Sequence, residues 1–391
     1  MKEQLKYLKG DRVIWIIVLL LSIISLLTVY SSTVTLAYKF KEGNTMYFMI
    51  KHAIILGFGL LWMYLASKLK YTYYSRIFQI ALWIAIPLLL ITLFYGETIN
   101  QASRVLKIPG LGLTFQTSDL AKITLIVYLA RELSLRQGVK TTLKQDLKAL
   151  LLPIIAIVMT IMPANFSTAG IVMVISLVMM YIGKVQTRTF LVIFAGGITL
   201  ILLTVAILAI MPQGKQARFA TWKSRIESFF DKDKEPPYQV QQAKIAIATG
   251  SLWGKGPGNS TQRHFLPHPY SDFIYAIIIE EYGLIGGTVV LLLYLVFFFR
   301  SIRIAIKSPT MFGSFMVIGM AFSLVFQAMI NMGVAVGLLP VTGQPLPLVS
   351  MGGTSLWFSS LAIGIILSVS REIEEAKQTE NLSNETENDE Q

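Results

Sequence analysis

Asp272 is the residue around which chemistry is most readily built. It follows Pro267 and Pro269 in the stretch "HPYSDFIYAIIIEEYGLIGG", where a long apolar run begins. Ser271 and Asp272 are also residue types favoured as helix N-caps, and that structural role competes with the chemical one. If the run is helical, Glu280 and Glu281 lie about 12 and 13 Å further along its axis, turned by roughly 80° and 180°. A glycosidase-type pair needs its carboxylates about 5 to 10 Å apart, so one carboxylate would act alone. Asp119 and Lys122 are three apart and share a helix face, as an internal ion pair would. Gln327 and Asn331, four apart, also share a face, and hydrogen bonding between helices is the simplest use for them. The "GSLWGKG" stretch from Gly250 to Gly256 falls one residue short of a P-loop and has no Ser or Thr after Lys255. Its glycines offer at most a turn of N–H groups to phosphate oxygens.

The elements that position these residues are set by composition. Of 391 residues, 54% are hydrophobic and 14% charged, against about 25% charged in an ordinary soluble domain. That describes a membrane protein and excludes a large soluble catalytic domain. There is no cysteine, and the three histidines, His52, His264 and His268, are scattered. Disulfides and thiolate chemistry are therefore excluded, and the histidines are too scattered to suggest a histidine-built metal site.

Ten apolar runs are long enough to span, at 13–37, 46–66, 77–95, 117–135, 149–163, 167–183, 189–211, 271–299, 312–337 and 353–370. The expected fold class is all-α, a polytopic membrane protein with ten transmembrane helices. Lys and Arg decide the orientation: 19 fall on one side and six on the short loops and span ends of the other. The basic side is cytoplasmic, which puts both termini inside and a large 212–270 loop outside. That loop's "WKSRIESFFDKDKEPPYQVQQAKIAIATG" could lie on the membrane surface as an amphipathic segment. The net charge of +12 divides into +18 over the body and −6 over residues 371–391. No nucleic-acid motif accompanies the positive charge. The membrane domain is expected over 1–371 and a disordered acidic cytoplasmic tail over 372–391. Between 338 and 352, Pro340, Pro345 and Pro347 and several glycines forbid a regular helix. Irregular backbone at membrane depth survives only when buried in protein or lining a cavity, so a cavity is expected there.

Three stretches, "NQASRVLKIPGLGLTFQTSDLAK", "YQVQQAKIAIATGSLWGKGPGNSTQRHFLPHPYSDFIYAIIIEEYGLIGG" and "NMGVAVGLLPVTGQPLPLVSMGGTSL", resemble the SEDS (shape, elongation, division and sporulation) family. These are ten-span peptidoglycan glycosyltransferases. The Gly258-Asn259-Ser260 run is more similar to the division branch than to the elongation branch. Asp272 matches the family's essential outer-loop aspartate. Asp119 and Lys122 match the Glu and Lys of Q-P-S-E-L-A-K, and Arg104 the Arg of G-A-S-R-W. Thr117 and Val105 replace that Pro and that Trp. The S-Y-G-G motif reads Ser350, Met351, Gly352, Gly353, and the P-D-F-G-T turn has Asn165 in place of its acid, which suggests a structural position.

The resemblance implies polymerisation of lipid II, a disaccharide-pentapeptide on undecaprenyl pyrophosphate, into glycan strands at the outer face of the bacterial cytoplasmic (inner) membrane, at the division septum. Asp272 is then the expected general base for the attacking sugar hydroxyl. Arg104, Lys122 and Lys244 are candidates to meet the leaving pyrophosphate, and Asp119, Asn259 and Ser350 complete the expected substrate contacts. The implied partners are a class B penicillin-binding protein transpeptidase and other division proteins. No resident cofactor is implied beyond a divalent cation, Mg or Mn. A lipid II flippase would spread its polar residues through the bilayer depth, and a non-catalytic division scaffold would not need Asp272.

Overall fold

The computed structural model describes residues 9–99, 102–108, 113–139, 141–210, 224–225, 227–231 and 236–389. Asp11 opens the first helix: its Oδ1 accepts from the N–H groups of Val13 (2.9 Å) and Ile14 (3.2 Å). Its Oδ2 takes the Arg300 guanidinium at 2.5 Å. Helix α1 then runs Arg12–Ser32, about 30 Å at 1.5 Å per residue. The single span expected over 13–37 breaks at Thr33, and a separate α2 follows, Val34–Phe40. Ser32 and Thr33 donate their hydroxyls to the carbonyls of Val29 and Tyr30, the local bonding by which such side chains compete with helix propagation.

Helices α3 (Thr45–Lys68) and α4 (Tyr71–Tyr95) come next. Here the fold departs from the all-α expectation. Strands β1 (Glu97–Ile99), β2 (Ala102–Ile108) and β3 (Leu113–Phe115) form a three-stranded antiparallel sheet in the order β1-β2-β3. Val105 faces Glu97 in the first pairing, and Leu106 faces Phe115 in the second. Gly96, Pro109, Gly110 and Gly112 interrupt the connection against a long helix, and its Val, Ile, Leu and Phe residues suit strands.

Helix α5 (Thr117–Leu135) is buried on nearly all sides. The short α6 (Leu143–Asp146) passes through a π turn at Leu147–Leu151 into α7 (Leu152–Ile161). Then follow α8 (Phe166–Ile182), α9 (Thr187–Ile210), α10 (Tyr238–Gly250), α11 (Ile274–Lys307), α12 (Met311–Ala335) and α13 (Thr354–Asp389). Among the described residues six helices are long and apolar enough to cross a membrane: α1, α3, α4, α11, α12 and the Thr354–Thr379 part of α13. The remaining apolar runs fall on α5, which carries more charge, on α7 and α8, which are shorter, and on α9. Leu19, Trp83, Ile84 and Phe94 stand exposed on the bundle's flanks, the side that hydrocarbon would cover.

Helix α13 runs on through the acidic segment after 371 to Asp389. Its first acids are anchored. Glu372 accepts from Tyr71 N (3.0 Å), Glu374 from Gly10 N (3.0 Å), and Glu375 pairs with Lys9 (2.8 Å). These bonds offset the ordering entropy that an unattached acidic tail could not.

At the other end of the bundle α11 is broken. Gly283 has φ +70 and ψ −176, so the element is two helices, 274–282 and 284–307. The loop after α10 fills the gap. Lys255 N and Gly256 N donate to the carbonyls of Glu280 and Glu281, both at 2.9 Å, and Leu284 N donates to Ser251 O at 2.9 Å. A β-carbon on Gly283 would lie 2.1 Å from the Leu252 carbonyl oxygen, which requires glycine here.

Candidate active site

Asp272 sits in a turn, half-buried, just before α11. The N-cap reading does not hold: Phe273 occupies that position, and no side chain caps it. Ser271 and Asp272 are turned elsewhere. The Ser271 hydroxyl donates to Asp272 Oδ1 at 2.9 Å. The Ser271 carbonyl accepts from Ser350 Oγ at 2.6 Å, and the Asp272 carbonyl from Asn331 Nδ2 at 2.9 Å. The turn is thus held by its main chain while the carboxylate is presented at its edge.

The partner surface is the segment 336–353, which has no helix because its prolines and left-handed positions forbid one. It is clamped from all sides. Asn331 also donates to Gln344 O (2.7 Å), Gln327 to Pro345 O (2.9 Å) and Gln344 to Thr168 Oγ1 (2.9 Å). Tyr294 donates to Pro347 O, and Met351 N donates to Tyr270 O at 2.9 Å. Thr354 Oγ1 donates to Thr114 O at 3.0 Å and accepts from Gln116 N at 3.1 Å, joining the segment to β3 and the start of α5. Gly343, at φ +65, lies near the carboxylate: a β-carbon there would stand 3.5 Å from Asp272 Oδ2.

Asp119 and Lys122 form the pair expected from their spacing, Nζ to Oδ1 3.6 Å, with both side chains buried. Lys122 donates as well to Gln327 Oε1 at 2.7 Å. These residues, with Ser323, Ser355 and Ser359 and the apolar Ile123, Met320, Leu324, Phe358 and Ala362, line a small pocket. Gln327 and Asn331 therefore do more than join two helices, since each ties α12 to the irregular segment that frames Asp272.

The other expected contacts separate. Ser350 is buried; its hydroxyl accepts from Leu346 N (2.8 Å) while donating to Ser271 O. Its hydroxyl thus helps to position the turn. Lys244 is exposed on α10 and packs at the start of the segment, where a β-carbon on Gly337 would meet its Cε at 2.7 Å. Asn259 is exposed and donates to Lys255 O at 3.1 Å, in the loop over Glu280. Arg104 lies on β2, and its side chain falls outside the described residues. Asn165 is structural: it caps α8, Oδ1 accepting from Thr168 N at 3.2 Å.

Two features had no clear signal in the sequence. Arg225 donates to Val341 O at 3.3 Å, within reach of the Asp272 charge. Burial pulls its guanidinium below the ordinary value, and the Asp272 carboxylate acts against that. Burial first, and then the same carboxylate, raise the Tyr270 phenol. The second feature is the use of Glu280 and Glu281. Glu280 accepts from Lys255 Nζ (2.6 Å), Ser260 Oγ (2.5 Å) and Thr261 Oγ1 (2.8 Å), and Glu281 accepts from Ser31 Oγ. These acids organise the loop at the α11 break and join it to α1. Two carboxylates in an apolar run announce that partners exist, but not which.

The chain is similar to known proteins in sequence and in fold. Stage V sporulation protein E of Bacillus subtilis is 33% identical over 369 residues, 92% of this chain and 97% of its own. The probable peptidoglycan glycosyltransferase FtsW of Thioalkalivibrio sulfidiphilus is 34% identical over 346 residues, 85% of this chain and 83% of its own. In fold, the chain is similar to the rod shape determining protein RodA of Thermus thermophilus, with TM-score 0.67 at 22% identity over 94% of this chain and 98% of that one. A chain from a peptidoglycan synthase complex, solved for its coordination of polymerization and crosslinking, gives TM-score 0.72 at 24% identity, covering 93% and 98%. The FtsW/RodA/SpoVE family model, described as cell cycle protein, matches residues 11–375, from the Asp11 cap to the anchored acids of α13. With that match, and with a relative one-third identical over nearly its whole length, the chain belongs to the FtsW/RodA/SpoVE family of cell cycle proteins.

Proposed function

We propose that this chain is a peptidoglycan glycosyltransferase that polymerises lipid II during cell division, with Asp272 as general base. Relatives that bear the name peptidoglycan glycosyltransferase FtsW support the activity. The observation that carries the residue assignment is the placing of Asp272: its turn is fixed through main-chain carbonyls by Asn331 and Ser350, which leaves the side chain beside Gly343 for chemistry.

In this reading the acceptor's sugar hydroxyl attacks the donor's anomeric carbon. Asp272 takes the hydroxyl proton as the new C–O bond forms and the bond to undecaprenyl pyrophosphate breaks. Two negative phosphates depart and cations must meet them. Arg225 and Arg104 offer the fork suited to phosphate, and Lys244 a point charge at the edge. Lys122 serves instead to hold Asp119 and Gln327. Among the described residues no group of three or more carboxylates or histidines could hold an ion, so a Mg or Mn would be carried chiefly by the substrate's own phosphate oxygens, where it would neutralise leaving-group charge.

The same reading includes ten membrane crossings with both termini inside, the Asp272 end facing outward at the septum of the inner membrane, and a class B penicillin-binding protein as partner. The basic asymmetry of the short loops supports the orientation. The test is polymerisation of labelled lipid II by the purified protein, with and without that partner and with Mg, Mn or chelator. Glycan chains are expected, and a protein that moves lipid II across vesicles but forms none contradicts the reading.

A further inference from the structure

Between α1 and α3 lies a histidine that the catalytic proposal does not use. His52 is 1% exposed. Its Nε2 stands 2.7 Å from Ser25 Oγ, and its Nδ1 is buried with no hydrogen-bond partner among the described residues. Ser25 is fully buried, and its hydroxyl donates to the Val349 carbonyl at 2.8 Å. A carbonyl only accepts, so the one Ser25 proton goes to Val349. The serine oxygen must then take its contact with the ring as acceptor. The network thereby assigns the tautomer: His52 carries its proton on Nε2.

The far end of this relay is a strained turn. Leu348, next to Val349, has φ +62, a left-handed conformation that is costly for a branched side chain and persists only where the surroundings over-determine it. Ser350, on the other side of Val349, donates to Ser271 O beside Asp272 and accepts from Leu346 N. Ser25 and Ser350 thus grip the turn on either side of its peptide, one from inside the bundle and one from the Asp272 side.

We infer that His52 is a positioning residue: through Ser25 and the Val349 carbonyl it holds the 346–351 turn, and through Ser350 the aim of Asp272. The catalytic half of this inference rests on the proposed role of Asp272, whereas the conformational half does not. A histidine that merely fills space would be replaced without loss by an apolar side chain of similar size. A histidine that acts as a donor would not.

The experiment compares His52→Leu, His52→Gln and Ser25→Ala in purified full-length protein, using labelled lipid II and hydrogen exchange of the amides 346–351. Gln keeps an N–H about as far out as Nε2. Expected are a kcat loss of about tenfold to hundredfold for His52→Leu and Ser25→Ala with KM little changed, the scale of a small misplacement of reacting groups. The double variant falls no further than the worse single one, as for residues acting through one path. Exchange at 346–351 rises in both variants, while His52→Gln retains most of the activity and the slow exchange. Wild-type kcat and exchange in His52→Leu overturn the inference. So does equal loss in His52→Gln and His52→Leu with unchanged exchange. An active Asp272→Asn control contradicts the catalytic reading separately, and the exchange data still decide the coupling of His52 to the turn.

Discussion

Asn331 Nδ2 donates to the main-chain carbonyl of Asp272 at 2.9 Å, and the same amide reaches Gln344 O at 2.7 Å. One side chain of α12 thus joins the turn before α11 to the irregular segment opposite it. The bonds go to main-chain atoms, which leaves the Asp272 carboxylate unaffected while its base is fixed.

Replacing Asn331 by Leu keeps much of the volume and removes both bonds. Each stranded buried carbonyl costs about 1–3 kcal/mol, so the variant should melt several degrees lower in detergent and lose most polymerising activity. Asn331→Asp should be worse, since a carboxylate would face two carbonyl oxygens. Thermal unfolding beside the lipid II assay checks both, and an active, stable Asn331→Asp contradicts the arrangement.

The Asp119–Lys122 pair is buried on both sides. Removing one partner of such a pair typically costs about 3–5 kcal/mol because the other charge is left uncompensated. Lys122→Met should therefore destabilise strongly, and Asp119→Leu together with Lys122→Met should recover much of the loss. Denaturation midpoints of the two singles and the double measure this directly. Additive losses would show that the pair is not the unit.

Gly283→Ala should open the α11 break. The new methyl would lie 2.1 Å from Leu252 O, and φ +70 is unfavourable for alanine. The expected result is a loss of more than about 1 kcal/mol and faster exchange at the amides of Lys255 and Gly256, which bond across the break. Unchanged exchange there would contradict the clasp.

Tyr270 carries a pH dependence of known sign. Burial and the Asp272 charge raise its phenol, so the folded chain keeps the proton above about pH 10, where the unfolded chain releases it. Stability from this residue is intact below that pH and falls as pH climbs toward the raised value. Asp272→Asn removes one cause and should move the Tyr270 ionisation downward. The difference absorbance between each protein and its Tyr270→Phe counterpart reports it, and a titration that does not move contradicts the proximity.

Much of this architecture was legible in the sequence for physical reasons. Apolar runs long enough to span fall on helices, the i,i+3 spacing of Asp119 and Lys122 gives a pair, and the amide at Asn165 becomes a cap once no carboxylate is needed. Gln327 and Asn331 were visible as one polar face, but not their targets, because main-chain carbonyls of an irregular segment leave no pattern. The sheet was hidden in strands of three to seven residues, too short for periodicity to register. Nothing around Gly283 marks it as the break in α11, because the Leu252 carbonyl against it comes from a distant part of the chain. Arg225 is one base among many in a charged loop, and nothing near Ser350 in the sequence marks Ser271 and Leu346 as the partners of its hydroxyl.

The central claim is that the Asp272 carboxylate removes the proton from the attacking sugar hydroxyl. Asp272→Asn keeps the shape and the main-chain bonds to Asn331 and Ser350. The decisive measurement is glycan chain formation from labelled lipid II by this variant, with its melting temperature shown to match the parent. Loss of polymerisation by about a hundredfold or more is expected, in the range that a general base contributes; chains formed at the parental rate would contradict the account.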